Sequence, residues 1–116
     1  MFHNPLGHYF LDNHIGESQY YAKLLDETEL LGKWNKIEIN AKWSDESDGF
    51  FKVWVNGKLK SDFVGQTASA PSLYFKYGLY RSFVSRYRKA NNGKQPPAQV
   101  VYYTNVKRGG TLKSIQ

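Results

Sequence analysis

The chain has 116 residues, the length of a single domain, and 41% of its residues are hydrophobic and 16% aromatic. This composition excludes an intrinsically disordered chain and leaves enough apolar residues for a modest core. The net charge of +6 indicates an acidic partner, whether nucleic acid, anionic lipid or acidic polysaccharide. The absence of cysteine excludes a disulfide scaffold, a thiolate zinc site and a Cys nucleophile.

Residues 1–5 have neither the basic nor the apolar region of a signal peptide, so none is predicted in this chain. No apolar run approaches the roughly 18 residues that a membrane span requires, and we expect no membrane partner. Nothing in the sequence indicates a cofactor.

The first third of the chain has an ambiguous pattern. Residues 6–11 are apolar and aromatic and predict a first strand, whereas residues 12–16 form a polar cluster that is typical of a turn. Between residues 17 and 31 the apolar positions fit one face of a short helix as well as a strand followed by a loop. We favour a short strand near Tyr20–Leu24 and an irregular connection after it.

A hairpin is the clearest element of the sequence. Residues 34–43 alternate strictly between apolar and polar, which predicts a half-buried strand, and residues 50–55 form its return strand. Asn56-Gly57 then predicts a tight turn, with a short strand over residues 58–60. In the first strand Ile37, Ile39, Ala41 and Trp43 form the apolar face, and in the return strand Phe51, Val53 and Val55 share one face while Phe50, Lys52 and Trp54 share the other.

Two further strands are predicted in the C-terminal part, over Leu73–Tyr80 and over residues 99–106. They flank a basic segment, residues 82–97, which we interpret as an exposed loop with a helical turn at its start. Six or seven strands separated by turn signals, without a long helix, predict an antiparallel all-β sandwich. We expect one domain over residues 1–116.

Three of these segments occur together in a known family. The hairpin resembles the paired W…V.W.NG strands of heparin-lyase-like and glucuronan-lyase-like proteins, Tyr74–Tyr80 is similar to the Y-F-K-A-G-x-Y strand of alginate lyases, and Val101–Val106 resembles their Y-Y-D-N-V closing strand. The chain therefore resembles the C-terminal half of a jelly-roll polysaccharide lyase, over about residues 32–113. The resemblance implies a concanavalin A-like jelly roll, reduced or partial, and a secreted or periplasmic location.

The same resemblance implies residues from an N-terminal half, namely an R-x-E strand and a Q-x-H strand, and neither motif is intact here. His3 aligns with the His of Q-x-H, which would make it a second catalytic candidate. Because the absent motifs neutralise the substrate carboxylate in the family, their absence puts turnover in doubt.

The predicted strand at residues 73–80 would carry the site. Its alternation places Tyr74, Lys76, Gly78 and Tyr80 on one face, and Leu73, Phe75, Tyr77 and Leu79 on a face directed to the core. Tyr rings stack on sugar faces, Lys pairs with a carboxylate, and a Gly within a strand often marks the close approach of a ligand.

The resemblance implies β-elimination at a uronic acid, with Tyr80 as the proton-transferring residue. A free Tyr has a pKa of about 10, so Lys76 and Arg81 are the cations that we expect to lower the pKa of Tyr80. Arg81 and Tyr74 are further candidates for substrate binding. Trp54 fits a sugar platform as well as ordinary packing between strands.

The three His residues are His3, His8 and His14, and their spacing of five and six fits neither one helix face nor a standard metal site. We therefore expect no metal.

Two other functions are compatible with the residues. A non-catalytic, lectin-like carbohydrate-binding module would keep the groove without turnover. A single-stranded nucleic-acid binder would also use basic and aromatic residues, but the lyase-like strands explain the same aromatics better, and we do not expect nucleic acid as the partner. Because half a jelly roll leaves sheet edges uncovered, we expect either a homodimer that covers them or a sandwich that closes in reduced form.

Overall fold

The structure is a computed structural model that describes residues 2–3, 9–15, 18–69, 75–78 and 84–116. The chain divides into two compact units, Met1–Leu73 and Tyr74–Gln116, which are described separately below. The expectation of a single domain over residues 1–116 stays a prediction.

The first unit begins with a three-stranded antiparallel sheet of strand order β1-β2-β3. Its strands are β1 (Phe2–His3), β2 (Tyr9–Ile15) and β3 (Ser18–Leu25). The strand predicted near Tyr20–Leu24 is confirmed within β3. The turn predicted over residues 12–16 is wrong at residues 12–15, because these residues pair with β3 from Asp12↔Tyr21 to Ile15↔Ser18.

A short helix, α1 (Glu27–Leu30), follows β3. The backbone N–H of Asp26 donates to the Glu29 carboxylate at 3.1 Å, which holds the first turn. The helical alternative for residues 17–31 is therefore correct for Glu27–Leu30 only, whereas Ser18–Leu25 form a strand.

The predicted hairpin is confirmed and forms a second antiparallel sheet of order β4-β5-β6. Its strands are β4 (Ile37–Lys42), β5 (Phe50–Val55) and β6 (Lys58–Val64). Asn56 and Gly57 have φ values of 52° and 82°, as a mirror-image hairpin turn requires. The Asn56 side chain accepts a hydrogen bond from the Lys36 N–H at 2.9 Å, which joins the turn to the start of β4.

The inner faces of the two sheets form one hydrophobic core. In β5 the buried and half-buried residues alternate with period two, as the sequence predicts. Tyr20 of β3 lies between the two sheets, with its ring centroid 5.6 Å from that of Phe51 and 4.8 Å from that of Phe63. Its hydroxyl shares a hydrogen bond of 2.9 Å with the Ser61 hydroxyl. The buried members of the core are Leu11, Leu24, Leu25, Phe51, Val53 and Val55.

These two sheets make the first unit a small antiparallel β-sandwich. The predicted inward face of β4 is correct for Ile37 and Ala41, which pack against the core. Ile39 lies on the same face, opposite the buried Val53, but is 38% exposed, and Trp43 is 56% exposed and lies beyond the end of β4. The sandwich is too narrow to cover the whole face of its edge strand.

The turn between β4 and β5 is held by polar contacts. The Asp48 carboxylate accepts hydrogen bonds from the Lys42 ammonium and the Ser44 hydroxyl, and these contacts hold the pKa of Asp48 below its ordinary value. The Thr67 hydroxyl donates to the Lys42 carbonyl at 2.7 Å and accepts from the Ser44 N–H at 2.9 Å. Residues after β6 therefore fasten the open end of the hairpin.

The second unit contains a short helix, α2 (Val84–Ala90), and a 3₁₀ turn at Lys113–Ile115. The strand predicted over Leu73–Tyr80 is wrong for residues 75–78, which have no regular structure, and its ends lie outside the described residues. The strand predicted over residues 99–106 is also absent as a strand, because its backbone has no ladder partner. In the described part of the chain, no helix is long and apolar enough to cross a membrane.

We predict that Val53→Ala lowers the free energy of unfolding by about 2–3 kcal/mol, because it opens a cavity in a core that has few residues to fill it. Val53 is fully buried at the centre of β5. Denaturant unfolding followed by Trp fluorescence measures this loss, since all three Trp lie within residues 1–73.

The matched control is Val64→Ala, since Val64 is 74% exposed on the other face of the same sheet. It should change the free energy of unfolding by less than about 1 kcal/mol. Equal losses in the two variants would contradict the placement of Val53 in the core.

Candidate functional site

The sequence predicts six site residues, and the structure describes the side chains of two of them. Lys76 lies exposed in the second unit, and Trp54 lies half-buried in the first. His3 lies in β1 opposite Phe10, and its side chain is outside the described residues. The other three, Tyr74, Tyr80 and Arg81, fall outside the described residues, so their roles stay predictions.

Three aromatic side chains of the second unit lie together beside Lys76. The ring centroids of Phe75 and Tyr77 are 6.0 Å apart, and those of Tyr77 and Tyr103 are 5.2 Å apart in an edge-to-face arrangement. The Tyr103 hydroxyl donates a hydrogen bond of 3.3 Å to the carbonyl oxygen of Gly78. We call Phe75, Tyr77 and Tyr103 the ring cluster.

The ring cluster is exposed, with 58% of Phe75, 62% of Tyr77 and 47% of Tyr103 accessible to solvent. The prediction that Phe75 and Tyr77 face the core is therefore wrong. Without a ladder to impose alternation, the rings contact one another and not the core. Three exposed rings beside a cation form a surface that can stack on a sugar ring and bind its anionic group.

Gly78 lies at the centre of this surface and has a φ of 135°. That value favours glycine, because a Cβ would be strained there whatever the surrounding space.

Tyr103 is a site residue that the sequence did not nominate. It lies 25 positions after Gly78, and no spacing rule connects the two. Tyr102-Tyr103 lies within an apolar run, and this pattern predicts a strand but no contact with Gly78.

The excess of positive over negative charge lies in the C-terminal part of the protein. Residues 74–116 contain nine of the sixteen Lys and Arg and none of the ten Asp and Glu, a net charge of +9. Residues 1–73 contain the other seven cations and all ten carboxylates, a net charge of −3. The overall value of +6 conceals this separation, which only a count by segment shows. A segment without carboxylates cannot neutralise its own cations, so its field favours an anionic polymer.

Part of this charge surrounds a shallow depression of about 330 Å³ beside α2. The depression is lined by Ser85, Arg88, Lys89 and Gly93. The Gly93 N–H donates to the Arg88 carbonyl at 2.7 Å, which closes the end of the helix below it. A hydroxyl and two cations in an open depression fit an anionic substituent of a ligand.

Trp54 lies on the outer face of β5, the face opposite the core. Its cross-strand neighbours are Glu38 of β4 and Leu59 of β6. Glu38 forms an ion pair of 3.3 Å with Lys36, so the carboxylate beside the Trp54 indole already has a cationic partner. Burial among strand neighbours favours packing over a sugar platform for Trp54.

Within the described residues, no group of three His, Asp or Glu side chains could hold a metal ion. The side chains of all three His lie outside that part of the chain. The expectation of no metal at the His residues therefore stays a prediction.

Comparison with known proteins gives one match. A family model described as polysaccharide lyase matches residues 12–107, which is most of the chain. The match spans the sandwich of the first unit from β2 onward, the ring cluster and α2. Neither the curated proteins nor the solved structures compared with the chain gave a match.

We predict that Trp54→Ala lowers the free energy of unfolding by about 1–2 kcal/mol, because it removes a half-buried ring from the outer face of β5. The control is Trp34→Ala, since Trp34 is 69% exposed and should contribute less than about 0.5 kcal/mol. Denaturant unfolding followed by circular dichroism compares the two. An unchanged stability in Trp54→Ala, together with weaker polysaccharide binding, would instead assign Trp54 to a sugar platform.

Proposed function

Because the chain belongs to the polysaccharide lyase family, we propose that it binds a uronate-containing polysaccharide and cleaves it by β-elimination. The observation that carries this proposal is the ring cluster beside Lys76, within a segment that has a net charge of +9 and no carboxylate. We further propose that the antiparallel sandwich is a reduced or partial jelly roll of the concanavalin A-like type.

The charge of residues 74–116 selects the class of polysaccharide. A neutral sugar chain would gain nothing from nine cations, whereas a polymer with one carboxylate per sugar neutralises several of them at once. In water each such contact is weak and is screened by salt within about 10 Å at 0.1 M ionic strength. Binding should therefore depend on many contacts and on ionic strength.

The ring cluster supplies what charge cannot, a shape that fits a sugar ring. A pyranose presents an apolar C–H face, and exposed Tyr and Phe rings offer a matching surface. Lys76 is adjacent to two of these rings in the chain, which supports its proposed pairing with the carboxylate of the same sugar. Together they account for recognition of a uronate unit.

β-Elimination makes specific demands on such a site. A base removes the C5 proton of the uronate, the electron pair forms the C4–C5 double bond, and the C4–O bond breaks with protonation of the leaving oxygen. Negative charge grows on the C5 carboxylate as the proton leaves, so a cation or a hydrogen-bond donor must hold that group. Lys76 and Arg81 are the proposed holders of the carboxylate.

Tyr80 is the proposed proton-transferring residue, and His3 is the second candidate. As a phenolate, Tyr80 would take the C5 proton, and the phenol formed would protonate the leaving O4 oxygen. Tyr74 is proposed to bind the substrate beside it. These roles rest on the resemblance of Tyr74–Tyr80 to the family strand, not on geometry.

A second candidate function is binding without turnover. The ring cluster and Lys76 account for recognition by themselves, and the residues described around them include no acid or base within the cluster other than phenols and lysine. A lectin-like module would use the same surface, so activity and binding must be measured separately.

We predict that Lys76→Gln weakens binding to polyglucuronate or heparin about fivefold, as expected for a surface charge contact of about 1 kcal/mol. Affinity measured by calorimetry at several salt concentrations should also fall less steeply with salt than that of the unmodified chain. The control is Lys52→Gln, because the Lys52 side chain is 44% accessible to solvent and lies on the sandwich, 4.0 Å from Asp62. Equal effects of the two substitutions would contradict a binding surface at Lys76.

We predict that the chain releases unsaturated product from at least one uronate polymer, seen as ultraviolet absorbance of the new double bond. Tyr80→Phe should lower turnover by about 10²–10⁴-fold, the usual contribution of a positioned acid–base group, while binding is retained. Tyr87→Phe on α2 is the matched control and should keep full activity. Full activity in Tyr80→Phe would remove Tyr80 from the mechanism, and binding without product across the panel would favour the lectin-like module.

A further inference from the structure

An unusual density of exposed apolar residues lies near the end of the chain. Val100, Val101, Tyr102 and Tyr103 are 70%, 46%, 77% and 47% exposed. The exposure alternates with period two, which is the signature of an extended backbone with two distinct faces. Thr104 follows, and Asn105 then turns the backbone with a φ of 51°. We call residues 100–104 the latent strand.

The latent strand has the composition of a strand but not the pairing. Val, Tyr and Thr are among the residues that favour strands most. The described backbone hydrogen bonds outside helices and strands include none from residues 95–110, and these residues carry no ladder assignment. Extended apolar segments with unpaired N–H and C=O groups are templates for pairing with another strand.

The sandwich offers an edge of matching length. Strand β4 has six residues and, in the described part of the sheet, pairs only with β5, so its other side presents unpaired backbone groups. Its register with β5 is regular along its whole length. A flat, regular edge of this kind can accept a further strand.

The opposite edge of the same sheet is protected. The pairing of β6 with β5 is irregular at one point. Val53 lies opposite Ser61 and the next residue, Trp54, lies opposite Leu59, so the register skips Lys60 of β6. Lys58, Lys60 and Asp62 add charges along this strand. Bulges and charges are the usual means by which proteins prevent an edge from pairing, so β4 is the open edge.

We propose that the latent strand of one chain pairs with the β4 edge of a second copy, and that the exchange is reciprocal, giving a closed two-fold dimer. Each copy carries both the unpaired strand and the unpaired edge, so a second copy supplies a complete match for both. The latent strand itself carries no charge, and it belongs to a segment of +9 that would approach a unit of −3. The charge distribution therefore favours contact between residues 74–116 of one copy and residues 1–73 of the other. This inference is independent of the proposed polysaccharide.

The first test is the mass of the intact chain in solution, without polysaccharide, by light scattering over a range of concentrations. We expect a dimer of about twice the 13.4 kDa chain. The N–H groups of neighbouring strand residues point to opposite sides of the strand. Of the two single variants Val101→Pro and Tyr102→Pro, at least one therefore removes an N–H that pairs with the second copy. That variant should weaken the dimer about tenfold or more, as loss of one ladder hydrogen bond and distortion of its neighbours predict.

Gln95→Pro is the matched control, since it introduces proline in the same unpaired segment outside the latent strand. It should leave the dimer unchanged. Trp fluorescence verifies that the sandwich stays folded in each variant, because all three Trp lie in residues 1–73. A chain that is monomeric at all concentrations, or proline variants that dimerise like the control, would overturn the proposal.

The second test identifies the partner strand, and the cysteine-free chain makes it direct. Separately purified Tyr102→Cys and Asn40→Cys proteins are mixed and mildly oxidised, and Glu38→Cys replaces Asn40→Cys to sample the register. We expect a disulfide between the two different chains, because paired strands bring Cα atoms within the about 7 Å that a disulfide tolerates.

Lys60→Cys on the protected edge is the control and should not cross-link to Tyr102→Cys. The double variant carrying Tyr102→Cys and Asn40→Cys in one chain distinguishes exchange from pairing within the chain. A fast-migrating monomer from the double variant, without any cross-link in the mixtures, would show that the latent strand pairs with its own edge and would overturn exchange.

Discussion

The sandwich depends on one contact, the packing of Tyr20 from the first sheet against Phe51 and Phe63 of the second. A three-stranded sheet has a single apolar face, and each sheet here can bury that face only against the other. The contact is close to the polar Ser61, which is 3% exposed, and its hydroxyl would be costly to bury without a partner. The Tyr20 hydroxyl supplies that partner, so one side chain provides both apolar packing and the hydrogen bond that makes the buried polar group tolerable.

The hydrophobic core and the excess positive charge lie in different parts of the chain. In residues 1–73 some of the described carboxylates pair with nearby lysines, as in Lys42–Asp48 and Lys52–Asp62. Such exposed pairs add little stability, but they leave the sandwich with no excess of cations. Residues 74–116 contain no Asp or Glu, and their nine cations repel one another. A segment of this kind is a poor candidate for a core and a good one for contact with a polyanion, which explains why the described apolar core is confined to the sandwich.

Patterns of neighbouring residues correctly predict the elements that are formed by contacts close in the chain. The strands on either side of Asn56-Gly57 follow from strict alternation and from a dipeptide that adopts the required positive φ values. The same rules wrongly predict a turn at Asp12–Ile15, because this segment is polar. It forms a strand through its pairing with β3, and the composition of the segment does not indicate that pairing. The segments at residues 75–78 and 100–104 failed for the opposite reason: they have strand composition but no ladder pairing in the part of the chain that the structure describes. The ring cluster could not be predicted, since the contact of Tyr77 with Tyr103 spans 26 positions and depends on residues that were assigned to separate strands.

Tyr103 is the residue at which polysaccharide binding and strand exchange would meet. Its ring belongs to the ring cluster, whereas its backbone belongs to the latent strand. The two uses are compatible, because the side chains of a strand stand out of the sheet while the N–H and C=O groups point along its plane. Pairing with β4 of a second copy would fix the Tyr103 backbone and so reduce the conformational entropy that the ring cluster must lose when a sugar binds. Association of two copies would therefore strengthen polysaccharide binding without adding a contact to the sugar, and binding would favour association by the same free energy, since coupling between two equilibria is reciprocal.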